Sequence, residues 1–438
     1  MAEENEETGQ QSWRAGRLMR GLMTMALTLV LMCVSASAFA DIRPAPWARG
    51  GASNPEDLQV KLVTFGPGSD VASWFGHTAI AVEDQRLNMR RIYNYGMFSA
   101  DPAMVAKYVM GRLEFWVAPT PYGPTLQSYA QQDRDVRLLT INLPPDRRAK
   151  VAEFLEENIK PENRTYLYHH YYDNCATRIR DVFDLATDGQ FEAYGTKTPS
   201  RMSLRDHTRR HAVWPILDFG MMYAMSEAID APIMAWDEMF LPVELERQVK
   251  AFSYLNDEGE LVPLAGEEEI FAVAKDRPQT PDEPYTLWPW LFLLGVTITL
   301  VGGLLGWQYT RSQSRLWRVF YGLYHAGVGF FFGGAGVLIL FMWTLTDHSV
   351  TYANENLFWT NPLTFLVTFV GLGFAFGREA AQRRLPLLWK ICAGLAIVGQ
   401  VLKITPWLDQ DTWLTVALCA PVIFGMAAVA HFVEKRSA

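Results

Sequence analysis

The strongest chemical signal in this 438-residue sequence is an asparagine followed by a cysteine, Asn174-Cys175, at the head of an amphipathic stretch. Over 175–185, Cys175, Ile179, Val182 and Phe183 fall near one stripe at helical spacing, so a helix beginning at Cys175 is expected. Asn174 then stands at the N-cap, where its side-chain oxygen accepts from the free N–H groups of the first turn. A thiol at the positive end of a helix dipole, paired with an imidazole, ionises below its free value of about 8.5. The thiolate is the nucleophile, and the N–H of the same turn is a ready oxyanion donor. The base must come from elsewhere. His77 is the candidate: it follows Gly76, opens a strand-like run over 76–82 and is flanked by Trp74 and Phe75. A third group orients the histidine in sites of this kind. Asn94 is the choice and Tyr95 the rival, since strand alternation lets one of the two face inward. Against this reading stand an inert, buried cysteine at a helix start and a hydrogen-bonded core histidine.

Other candidate groups have plainer explanations beside the chemical one. His169 and His170 precede Cys175 in a Tyr-rich segment where solvated or hydrogen-bonded side chains are ordinary. His207 and His211 have the i, i+4 spacing of a zinc pair, but no third ligand follows usefully, and no metal or cofactor is expected. Arg205, Arg209 and Arg210, like Arg178 and Arg180, can hold lipid phosphates or form ion pairs, for Arg178 and Arg180 with Asp173 or Asp181. The loop 345–361 carries Asp347, His348, Asn354, Glu355, Asn356 and Asn361, which suits a lipid headgroup or acceptor site as well as solvation. A net charge of −8 without an aromatic-laced basic patch argues against nucleic acid. Cys33, Cys392 and Cys419 lie in long apolar runs, which leaves Cys175 alone in the soluble part and excludes a disulfide framework there.

The elements that must position these residues are mixed. Strands are expected over 58–65, 76–82, 91–97 and 137–143 from period-2 alternation. Helices are expected over 101–110, with Asp101 as cap and Pro102 in the first helical position, and over 145–159, where Val151, Leu155 and Ile159 share a face. The exported part is therefore α+β rather than a regular βαβ array.

Topology follows from hydropathy and charge. Residues 1–40 read as a signal peptide or signal anchor: Arg14, Arg17 and Arg20 precede an apolar run that ends in Ala38-Phe39-Ala40. Residues 41–254 form the exported domain, 255–284 a hairpin and linker, and 285–438 a transmembrane domain. Five spans are expected, over 285–307, 319–344, 358–377, 387–403 and 412–433. Arg311, Arg315, Arg318, Arg378, Arg383, Arg384, Lys435 and Arg436 mark the cytoplasmic ends, so the large soluble part lies outside. Lys403, at an outer end, is the discordant charge.

A His-bearing strand about one hundred residues before an Asn-Cys helix start resembles the circularly permuted papain arrangement of the lecithin:retinol acyltransferase group and NlpC-type enzymes. The resemblance is closer to the Lnb lipoprotein N-acyltransferase family. Its carriers are Phe75-Gly76-His77-Thr78-Ala79, Tyr93-Asn94-Tyr95-Gly96, the block from Tyr172 to Arg180, the stretch from Asn354 to Leu363, and the five-helix tail. The resemblance implies a thiol acyltransferase of the bacterial inner (cytoplasmic) membrane with its catalytic domain in the periplasm. Its acyl donor is a phospholipid and its acceptor the N-terminal amine of a diacylglyceryl lipoprotein. Cys175 would carry the acyl group and His77 act as base, with Asn94 as the third residue chosen above. A thioester is activated enough for an amine to displace it without ATP. Two other classes compete: a membrane-anchored peptidase or amidase acting on peptidoglycan, and a scaffold in which Cys175 is structural. A lipid hydrolase differs only in its acceptor.

Overall fold

The structure, a computed structural model, describes residues 43–98, 102–277 and 279–437. The expected signal segment, with Cys33, and the expected cap Asp101 lie outside the described residues. The chain divides into two compact units. The first takes the chain up to Gly66, then His77–Glu192 and Met239–Lys275. The second takes Pro67–Gly76, Ala193–Glu238 and Asp276 onward.

A seven-stranded antiparallel sheet organises the first unit. Its strands are β1 (Leu58–Phe65), β2 (His77–Asp84), β3 (Met89–Met97), β4 (Glu114–Pro121), β5 (Val136–Ile141), β6 (Thr165–Leu167) and, after a small β7–β8 hairpin (Ser253–Leu255, Leu261–Pro263), β9 (Ala265–Ala272). The order across the sheet is β6-β4-β3-β2-β1-β5-β9. The stretch 255–284, expected as hairpin and linker, thus contributes an edge strand to the seven-stranded sheet through β9 on β5. Its Glu267-Glu268-Glu269 run reads as a solvated linker, yet an edge strand accepts such exposed charge without cost.

Helices α1 (Pro102–Val109), α2 (Tyr122–Gln131), α3 (Pro145–Asn158) and α4 (Cys175–Ala186) complete the part that concerns the site. Alternation along the strands sorts them onto two faces. Val63, Phe65, Ala79, Ala81 and Ile92 close a core with Leu126 and Tyr129 of α2. Tyr93 and Tyr95 point the other way, to Glu156 and Asn158 at the end of α3. Glu156 also accepts from Ala45 N (3.0 Å) and Arg91 Nη1 (2.7 Å), which pins the segment entering the domain against the sheet. A buried carboxylate is tolerated there because each of its oxygens finds a donor.

The second unit holds α5 (Leu204–His211), α6 (Pro215–Ala224) and the apolar helices α7 (Trp288–Ser312), α8 (Arg315–Leu345), α9 (Leu366–Ala375), α10 (Glu379–Leu402) and α11 (Trp413–Ser437). Four of these, α7, α8, α10 and α11, are long and apolar enough to cross a bilayer. The expected third span, 358–377, is broken: 3-10 turns at Glu355–Phe358 and Pro362–Phe365 precede the ten-residue α9, with a 64° bend. Pro362 has no N–H to give and holds Asn361 extended, so a continuous helix cannot form through 360–362. The backbone of this break rests on α8, where a Cβ on Gly336 would sit 1.6 Å from the Thr360 carbonyl oxygen. Non-helical backbone in a membrane domain needs such protein cover. The fourth span begins earlier than the expected 387, because its helix runs on through Arg383 and Arg384 and carries Pro386 inside.

Candidate active site

Asn174 builds the start of α4. Its Oδ1 accepts from Ala176 N (2.8 Å) and Thr177 N (3.0 Å), and Thr177 Oγ1 returns the bond by accepting from Asn174 N (2.8 Å). The Asn174 amide donates to the carbonyls of His170 (2.6 Å) and Phe240 (3.0 Å), so the cap is held from four directions. A cap of this kind is worth about 1 kcal/mol to the helix and fixes where Cys175 stands. The thiol is half-buried. Burial pushes it up to about 11, and the N–H groups of Thr78, Ala176 and Cys175 itself pull the other way.

His77 opens β2 one residue before Thr78, whose N–H faces the sulfur. Its Nε2 lies 2.7 Å from Asn94 Oδ1 on β3. An amide oxygen can only accept, so this contact makes Nε2 the donor. Nε2 therefore carries the hydrogen and Nδ1 keeps its lone pair for a proton from the thiol. Phe65 and Tyr129 stack parallel to the imidazole, with centroids 5.9 and 6.0 Å away. Burial lowers His77 to about 4; the Asn94 bond raises it, and the Arg134 charge lowers it further. The resting pair is thus a neutral thiol and a neutral imidazole. Such a pair does chemistry by general-base transfer, with the proton leaving sulfur as a bond forms to carbon.

Two family models match the chain: the Lnb N-terminal periplasmic domain over residues 46–210, and the Lnb transmembrane domain over residues 279–436. Together they take in well over half of the sequence. The chain belongs to the Lnb family. It is a membrane protein with a periplasmic α+β domain followed by a helical transmembrane domain, as the sequence resemblance implied. No curated protein and no solved structure matches it.

The remaining residues singled out in this Lnb-family sequence fall in other places. Tyr95 lies on the sheet face opposite Asn94, 1% exposed, its hydroxyl donating to Asn158 Oδ1 (2.7 Å); it is not open to a lipid or an acceptor. Arg178 is taken by Asp173 (2.6 Å) and lies over the Tyr166 ring, the plainer of its two readings. Arg205 is held by Asp230 and by the carbonyls of Met222 (3.0 Å) and Ser226 (3.1 Å), and so is not presented to a phosphate. His207 sits among Ser200, Glu238 and Arg210, while His211 Nδ1 meets the Trp74 carbonyl at 3.2 Å, so the two rings serve separate networks rather than one metal. His348 is half-buried before the turn Ser349–Thr351. Asn354 and Asn356 are buried, and their amides donate to the carbonyls of Tyr223 and Ala224 at the end of α6. They terminate that helix instead of facing a headgroup. Asn361 is buried at the break before α9.

Three site residues escaped the reading of the sequence. Tyr129 and Phe65 stack on each other at 3.7 Å with the imidazole beside and parallel to both, and Gly96 makes room for it: at φ +116°, a Cβ there would stand 3.3 Å from His77 Cε1. Gly96 follows the Tyr-Asn-Tyr triplet directly, and a glycine within a strand is itself the signal of a close approach. Tyr129 gave no such signal, being one aromatic in a helix hidden among Pro121, Gly123 and Pro124.

Proposed function

We propose that this Lnb-family protein is a thiol acyltransferase of the bacterial inner membrane, moving an acyl chain from a phospholipid to the N-terminal cysteine of diacylglyceryl lipoproteins. One observation carries the reading: His77, oriented by Asn94, is followed by Thr78, whose N–H faces the thiol of a capped helix-start cysteine, in a chain that also holds a transmembrane domain. Cys175 Sγ attacks the ester carbonyl while His77 Nδ1 takes the thiol proton. The ester C–O bond then breaks, and the proton passes to the departing alkoxide. In the second half the lipoprotein amine attacks the thioester carbon, the C–S bond breaks, and an amine proton returns through His77 to the sulfur. In this reading the N–H groups of Cys175 and Thr78 receive the oxyanion in both halves. A membrane-embedded donor and acceptor give the transmembrane helices a use beyond tethering.

The test is mass spectrometry of a reporter lipoprotein's N-terminal peptide, in a host depleted of its own N-acyltransferase. A third acyl chain with the wild type, absent with Cys175→Ala, is the expected result. A diacyl peptide in both strains would sink the lipoprotein assignment.

A further inference from the structure

Beyond the catalytic pair, the first unit holds a cavity of about 270 Å³ against the β4–β6 edge of the sheet. Phe98, Met104, Leu113, Phe115 and Trp116 form much of its wall. Lys107 and Glu114 stand at it as an ion pair with each other, so neither presents an uncompensated charge to a headgroup. The apolar surface continues outside on α1, where Val105 and Val109 are 67% and 46% exposed. Apolar side chains left in water beside a cavity with aromatic walls mark a place that something apolar covers.

The cavity is joined to the nucleophile. Phe115 pairs across to Tyr166 on β6, and Tyr168 stacks on Phe115 with centroids 4.4 Å apart. Phe98 also stacks on Phe115, at 5.2 Å. Strand alternation puts Phe115 and Tyr166 on the face of Val117 and Tyr95, the face where Arg178 of α4 covers the Tyr166 ring. Tyr166 meets Phe115 edge-on with centroids 6.4 Å apart, and the Arg178 that lies over its ring stands in the same helix start as Cys175. A row of rings therefore leads from the start of the cysteine helix to the cavity.

We propose that this aromatic-lined cavity is the acyl-chain site: it receives the hydrocarbon tail of the group that Cys175 takes from the phospholipid donor. The proposal rests on the acyl-transfer reading above. The donor tail is favoured over the acceptor's chains because the row of rings ends at the start of α4, which carries the cysteine to which the donor's carbonyl becomes attached. Met104 closes the cavity from the α1 side and is half-buried, so its size sets the depth open to a chain without touching the catalytic groups.

The experiment uses the full-length protein in nanodiscs containing equal amounts of short-, medium- and long-chain phosphatidylethanolamines, with no acceptor present. Intact-protein mass spectrometry reads the acyl adduct on Cys175. Met104→Trp is expected to shift the adduct from long toward short chains by roughly tenfold relative to wild type, since a hydrophobic pocket discriminates by about that much per group excluded. Met104→Ala is expected to shift it toward long chains, and decides alone if the tryptophan variant does not accumulate. The same chain distribution in wild type and variants overturns the acyl-chain site while leaving acyl transfer standing. A wild type that gives no adduct with any chain overturns both.

Discussion

Asn94 meets His77 Nε2 through its amide oxygen, and this makes it the residue whose change is most informative. Asn94→Ala frees the imidazole to rotate while leaving the nucleophile in place, so kcat should fall on the order of 10²-fold with little change in KM. Asn94→Asp keeps the geometry but adds a charge that favours imidazolium; its activity should rise from the acid side at a higher pH than wild type, in a pH–rate profile. The wild-type acid limb belongs near 4, where burial has put His77. Folding follows the same group. An unfolded imidazole titrates near 6.5 and the folded one near 4, so the unfolded chain holds the extra proton between those values. The stability that His77 contributes is therefore complete above 6.5 and is lost as pH falls to about 4. His170, lowered to about 4 by burial and by His169, adds a second loss in the same window. His77→Phe should narrow the drop in denaturation midpoint between neutral pH and the acid end of that window; an unchanged drop would show that the ring is not held neutral.

The elements carrying Cys175 and His77, the proposed nucleophile and base, were legible because each announces itself chemically. The Asn-Cys cap starts α4 where the spacing put it, and the alternating run 58–65 is β1 to the residue. What the sequence hid are β4 and α2, punctuated by Pro119, Pro121 and Pro124, which argue against regular structure unless the strand lies near an edge. Only a three-residue strand covers β4, so its prolines meet little demand for N–H donors. With α2 invisible, the stacking face of the imidazole was invisible too. Two substitutions test how tightly the elements hold the site. Gly96→Ala combines a φ that L-residues rarely adopt with a Cβ against His77, and should cut activity on the order of 10²-fold through a displaced ring. Asn174→Ala removes the cap, and should cost roughly 1–2 kcal/mol in chemical denaturation while loosening the thiol's position. If Asn174→Ala kept both full stability and full activity, the cap would have no part in placing Cys175.

At the scale of the molecule, hydropathy and arginine placement were enough to read a helical membrane domain, but not its break. A window average registers 358–377 as apolar and is blind to the one residue, Pro362, that prevents a continuous helix. Nor does it register that a neighbouring glycine must admit the bent backbone. Charge counting likewise left Lys403 unexplained. The structure pairs its ammonium with Glu355, a carboxylate 3% exposed beside the break, and lets it donate to the Gln410 carbonyl at 2.6 Å. The discordant charge is thus the partner of a buried one. Glu355 Oε1 in turn accepts from Gln410 N at 2.8 Å, and Gln410 Oε1 accepts from Glu355 N at 2.7 Å, so the pair ties the broken span to the segment before α11. Removing the lysine alone strands a desolvated carboxylate, whereas removing both charges does not. Lys403→Met should therefore destabilise the membrane domain by about 3 kcal/mol, read by thermal unfolding in detergent. Glu355→Gln in the same chain should restore most of that loss, because the glutamine oxygen still accepts from Gln410. If the double variant were as unstable as Lys403→Met, the ammonium would be needed for its own bond to the Gln410 carbonyl, and Glu355 would not be what holds it there.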